Sequence, residues 1–189
     1  VKPSLTALIP FRGLGLTFQN PKFWFYVPSQ GNANYSAEFL LQDKLEQGNK
    51  VYSKTFKLEK SPGIMSIPLP KSIKLDSNKV YFWKLSIIVN PKDRNDDCFI
   101  YGGVKQVPLA PDARSRLKQA KTTRERIAIY AENGFWYDTL TNLAELRRQN
   151  PNDKALKSEW NDLLEHRLVR LKDITSKPIL PCCESNSEL

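Results

Sequence analysis

The sequence predicts an α+β protein: an N-terminal antiparallel β-sandwich of the immunoglobulin or fibronectin type, followed by a small C-terminal helical bundle. Three observations point there. Residues 1–107 hold short apolar runs separated by turn residues at the roughly 8–12-residue spacing of a sandwich. No helical pattern lies between those runs, which excludes βαβ units and a doubly wound parallel sheet. After Pro108 the apolar period changes from that of a strand to that of a helix. The expected boundaries are 1–109 for the sandwich, 110–175 for the helices and 176–189 for an extended, Cys-containing tail.

Each strand has its own warrant. Ser4 to Ile9 alternates weakly. Phe23-Trp24-Phe25-Tyr26-Val27, between Pro21 and Pro28, reads as a central strand. Tyr35 to Gln42 and Lys50 to Leu58, joined by a polar loop with Gly48, form the clearest hairpin. In its second strand Tyr52, Phe56 and Leu58 face the core, with Lys54 at an edge. Gly63 to Leu69, Val80 to Val89 and Asp97 to Val107 follow. In the long strand Tyr81, Trp83, Leu85, Ile87 and Val89 share one face, while Lys84 and Ser86 interrupt the other, as in a half-buried sandwich strand. Gly13-Leu14-Gly15 lacks a third glycine and a following helix, so it reads as a turn and not a phosphate cradle.

The helices begin after Pro111-Asp112 with Ala113 to Ala120. Thr123 is the expected cap of the next helix; with Arg126 three residues on, it would lack a full capping box. Asn133-Gly134 closes that helix in a left-handed turn. Phe135 to Gln149 is the strongest helix, with Trp136, Leu140, Leu143 and Ala144 on one stripe. Pro151 to Asp153 stops it and caps a last helix from Lys154 to about Leu168, with Leu156, Trp160, Leu164 and Leu168 inward. Tyr130 to Leu140 through Asp153 is similar to a tetratricopeptide repeat. One such unit is too short to stand alone, so it is expected to dock on the sandwich.

Charge and composition bound the function. The net charge is +9, and residues 1–107 carry most of it, with 15 basic against 8 acidic side chains. Scattered lysines on strands discourage edge pairing; they also attract anionic surfaces. No apolar run of membrane-spanning length occurs, so the chain is not expected to be transmembrane. It begins at Val1 rather than Met, which fits removal of an upstream segment. Cys98, Cys182 and Cys183 form no Cys-x-x-Cys pair. Either the adjacent pair ties the tail to the distant strand through Cys98 in an oxidising compartment, or all three thiols are reduced.

The signals for chemistry are poor. His166 is the single histidine, so neither a metal triad nor a Ser-His-Asp arrangement can be assembled. Asp93, Asn95 and Asp97 mimic the first ligands of an EF-hand, but Cys98 and Val104 replace its glycine and final glutamate. An Asx turn neutralised by Arg94 is the simpler account. The aromatic runs Phe23 to Tyr26 and Tyr81 to Trp83 read as core, and no RNA-recognition signature accompanies them. No catalytic residue, cofactor or metal is therefore expected, and no nucleic acid; a carboxylate-based enzyme is the weakest alternative.

Across the chain, Leu5 to Pro10, Pro21 to Pro28, Glu38 to Asp43, Pro62 to Ile64, Asn90 to Arg94, Arg124 to Arg126 and Tyr130 to Gly134 occur in collinear order. In these segments the sequence resembles the cyanobacterial domain of unknown function 928. The resemblance implies an exported, periplasmic or secreted protein with a signal peptide upstream of residue 1, and no established activity. The family often has a Cys before the Asp-Pro that matches Asn90-Pro91; here that position is Val89 or Asn90, and Cys98 sits later. Cys182-Cys183 matches the family's Cys-rich ending.

The expected function is thus that of a non-enzymatic interaction module. Its helical part would meet a protein or peptide through Trp136, Tyr137, Arg147 and Arg148, with Trp136 read first as a core residue. The alternative is a Lys-rich sandwich holding an acidic polysaccharide or a membrane surface by charge.

Overall fold

A computed structural model describes residues 4–29, 35–58 and 61–181. The chain is mixed α+β. Among the described residues eight strands run in order as β1 (Thr6–Ala7), β2 (Leu14–Thr17), β3 (Lys22–Val27), β4 (Ser36–Gln42), β5 (Lys50–Lys57), β6 (Gly63–Pro68), β7 (Val80–Ile88) and β8 (Cys98–Gln106). Four helices follow: α1 (Pro111–Gln119), α2 (Thr123–Glu132), α3 (Trp136–Gln149) and α4 (Lys154–Glu165). The strands form one sheet of order β1-β3-β6 and a second of order β2-β8-β7-β4-β5.

The alternation of apolar residues decides which face is buried. In the second sheet Phe39 and Leu41 of β4, Tyr81, Trp83, Leu85 and Ile87 of β7, and Val104 of β8 are buried. Phe23 of β3 meets them from the first sheet, its ring 4.9 Å from that of Phe39 and 5.7 Å from that of Trp83. Each such ring, fully buried, contributes about 1.5–3 kcal/mol. Gly102 belongs here because a Cβ on it would fall 2.9 Å from the Trp83 indole. The hairpin β4–β5 forms in the expected place, and β5 is an edge strand with Lys54 in register with Phe39.

The strand β2 corrects the reading of Gly13 to Gly15 as a turn alone. Gly13 does turn, at φ 76°, but Leu14 to Thr17 then pairs with β8. That pair is parallel, a departure from the antiparallel expectation. Two small corrections concern the helices. Thr122, not Thr123, caps α2, and with Glu125 it completes the capping box. Helix α4 stops at Glu165, and Leu168, expected inward, is 56% exposed in the turn beyond it. Gly134 takes the left-handed conformation expected after α2, at φ 75°.

Helix α3 ties the helices to the strands. Trp136 Nε1 donates to the Leu8 carbonyl at 3.0 Å. Tyr137 Oη accepts from Trp83 Nε1 at 2.8 Å and donates to the Gly103 carbonyl at 3.0 Å. Trp24 Nε1 of β3 donates to Thr141 Oγ1 at 2.9 Å, and Lys22 pairs with Glu145. Asp138 reaches the end of β2, where it accepts from the Phe18 amide at 2.7 Å and the Gln19 amide at 3.3 Å. Gly15 makes the approach possible: a Cβ there would lie 2.7 Å from Tyr137 Cε2 and 3.0 Å from Trp136 Cδ1.

Two measurements test this clamp. Gly15→Ala is expected to cost about 1–3 kcal/mol in urea unfolding, because neither buried ring has room to move away. Burial also raises the Asp138 pKa above the usual carboxylate range, against the opposing pull of the Phe18 and Gln19 amides. A folded-state pKa above the unfolded one gives stability that is full below the unfolded pKa and lost as pH rises through the folded pKa. The unfolding free energy of the native chain, relative to Asp138→Asn, is therefore expected to decline as pH rises out of the usual carboxylate range.

Candidate functional site

The residues that alternate with the core of the second sheet form its outer face, and the register places them side by side. One row runs Ser53, Leu40, Lys84, Tyr101 across β5, β4, β7 and β8. The next runs Thr55, Glu38, Ser86, Phe99. A third joins Gln42, Phe82 and Gly103. On this face Phe99 is 55% and Tyr101 62% exposed, and Leu45 of the β4–β5 loop is exposed beside them. Scattered exposed apolar residues need no account, but aromatics gathered on one sheet face do.

These side chains border an open pocket of about 310 Å³, lined by Gln42, Leu45, Glu46, Phe82, Lys84, Phe99 and Tyr101. Lys84 Nζ lies 4.6 Å from the centre of the Phe99 ring. The ring's negative face holds the ammonium in place without neutralising it. Among the described residues Lys84 makes no ion pair. The arrangement offers flat apolar rings, an amide and a phenol to hydrogen-bond, and one oriented cation.

A family profile described as Domain of Unknown Function (DUF928) matches residues 1–179. The chain belongs to the DUF928 family. No curated protein matches it.

The structure separates the four contact residues expected of this DUF928 chain. Trp136 and Tyr137 are 8% and 1% exposed, enclosed between helix and sheets, and their polar atoms bond inside the protein. Both are structural anchors: this agrees with Trp136 on the core stripe of its helix and corrects the contact expected of Tyr137, whose ring fills the gap at Gly15. Arg147 and Arg148 remain at the surface end of α3. Arg147 is half-buried, its guanidinium 5.3 Å from the ring centre of Trp160.

Cys98 is exposed on β8 and is free among the described residues; Cys182 and Cys183, the partners considered for it, lie outside them. The loop after β7 takes the Asx form: Asp93 Oδ1 accepts from the Asn95 amide at 3.1 Å. Arg94 there pairs with Asp97 at 2.5 Å and Glu38 at 3.1 Å. His166 accepts from the Leu168 amide through Nδ1 at 3.3 Å, as a surface residue closing α4.

Phe99 and Tyr101 were not singled out by sequence. Their same-face spacing in Cys98-Phe99-Ile100-Tyr101-Gly102 was visible, but which face met the core was not. That depended on Gly102 yielding its side to Trp83. Phe99→Ser with Tyr101→Ser is expected to leave urea-unfolding stability within about 0.5 kcal/mol, as exposed positions do.

Proposed function

We propose that this DUF928 protein is a non-enzymatic binding module that holds an acidic polysaccharide on the outer face of its five-stranded sheet. The carrying observation is the row in which exposed Tyr101 lies beside Lys84, with Phe99 under the same ammonium. A sugar ring has an apolar face of C–H groups and a rim of hydroxyls. Flat aromatic rings suit the first and Gln42 suits the second, while Lys84 suits a uronate carboxylate. The excess of cations over residues 1–107 adds a long-range attraction of the same sign.

The reading that places a peptide in a helical groove loses two of its four contacts, because Trp136 and Tyr137 are spent on internal bonds. The tetratricopeptide-like hairpin then serves as a buttress for the strands. Work outside the cytoplasm is what the resemblance implies, and it suits a polysaccharide ligand.

Gel-affinity electrophoresis of the folded protein through polygalacturonate and through neutral dextran tests the proposal. Retardation by polygalacturonate that weakens with added salt is expected. Phe99→Ala and Tyr101→Ala are each expected to weaken it about tenfold, which is about 1.4 kcal/mol, with an unchanged thermal midpoint. Equal retardation of both variants and the native chain would remove the sheet face from the mechanism. Binding to anionic lipid vesicles but not to the glycan would replace the ligand.

A further inference from the structure

A second site lies where the end of α3 meets the segment beyond the 3-10 turn Lys172–Ile174. A pocket of about 300 Å³ opens there, lined by Arg147, Arg148 and Lys177, with Pro151, Pro178 and Ile179 as its apolar walls. Among the described residues no acidic side chain lines it. Elsewhere Arg94, Arg116 and Arg124 each hold a carboxylate, while among the described residues Arg12, Arg114, Arg126, Arg167 and Arg170 do not. Among the described residues Arg147, Arg148 and Lys177 hold none.

Their positions are fixed in another way. Arg147 stacks against Trp160, which is fully buried, and its Nη1 reaches the Thr175 carbonyl at a long 3.4 Å. Lys177 Nζ lies 5.9 Å from the Tyr26 ring centre. The strand-like segment carrying Lys177 is itself anchored: Ile64 donates its amide to the Pro178 carbonyl at 2.8 Å, and Leu180 donates to the Ile64 carbonyl at 2.8 Å. Aromatic rings orient these two cations and leave their charge unmatched. Burial lowers the Arg147 pKa.

The dipole of α3 favours basic residues in its last turn, which accounts for Arg147 and Arg148. It does not account for a third cation brought from a different segment to the same pocket. We propose that this pocket is an oxyanion site, in which the planar fork of Arg147, with Arg148 and Lys177, holds a carboxylate or phosphate group of a ligand. The proline and isoleucine walls accept the apolar part next to that group. The site is separate from the sheet face and stands without it.

The test is an amide NMR titration of the full chain with inorganic phosphate and, separately, with a dipeptide bearing a free C-terminal carboxylate, against sodium chloride at matched ionic strength. Saturable shifts confined to residues around 147–151 and 176–179 are expected. Saturation by phosphate alone identifies a phosphate ligand; tighter saturation by the dipeptide identifies a carboxylate. The pair Arg148→Ala and Lys177→Ala is expected to weaken binding at least tenfold without moving the thermal midpoint. Arg147→Lys, which keeps the charge and removes the fork, is expected to weaken it as well while keeping the fold. Shifts that chloride reproduces, no saturation by either probe, or unweakened binding in the double variant would overturn the site.

Discussion

The phenol of Tyr137 is the point on which the two parts of the molecule depend. Its oxygen accepts from Trp83 in the centre of the five-stranded sheet and donates to a carbonyl of β8. Both partners are buried, so each bond removed leaves a polar group without water. Burial drives the phenol's pKa up, so it remains a neutral donor and acceptor at all ordinary pH. The residues around it extend the same hold: Trp136 to Leu8, Asp138 to the end of β2, Thr141 and Glu145 to β3.

That constraint has a consequence for function. A helix fixed against β2 and β3 covers the side of Trp24 that faces away from the second sheet. Among the described residues α3 packs chiefly on β2 and β3, and Phe99 and Tyr101 stay exposed on the outer face of the second sheet. Phe99 and Tyr101 therefore stand on a stiff sheet with water on one side and the aromatic core on the other. A platform so supported loses little conformational freedom when a flat ligand settles on it. The cationic pocket at the far end of α3 follows from the same docking, which brings the Lys177 segment alongside β6.

Much of the fold was legible in the residues. The β4–β5 hairpin, the inward face of β7, the left-handed Gly134 and the stop before α4 each rest on local chemistry: alternation, a glycine at positive φ, an Asp153 side chain capping two amides. Strand β2 was not legible, because four residues containing a glycine carry no period, and their partner is β8, nearly ninety positions away. The box capping α2 was hidden by two consecutive threonines, of which only the first takes the extended backbone of a cap.

The candidate sites divide in the same way. Sequence alone determined the class of the fold: alternating strands, then helices, and an excess of lysine in the first part. Those properties depend on residue type and local spacing. Which aromatics are anchors and which are surface was decided only by the tertiary structure. Trp136 and Tyr137 are of the same kind as Phe99 and Tyr101, yet the first pair enters the gap left by Gly15 and the second is turned out by Gly102 and Trp83. The reason is physical: burial belongs to the space that distant segments leave for one another, and no local pattern encodes that space.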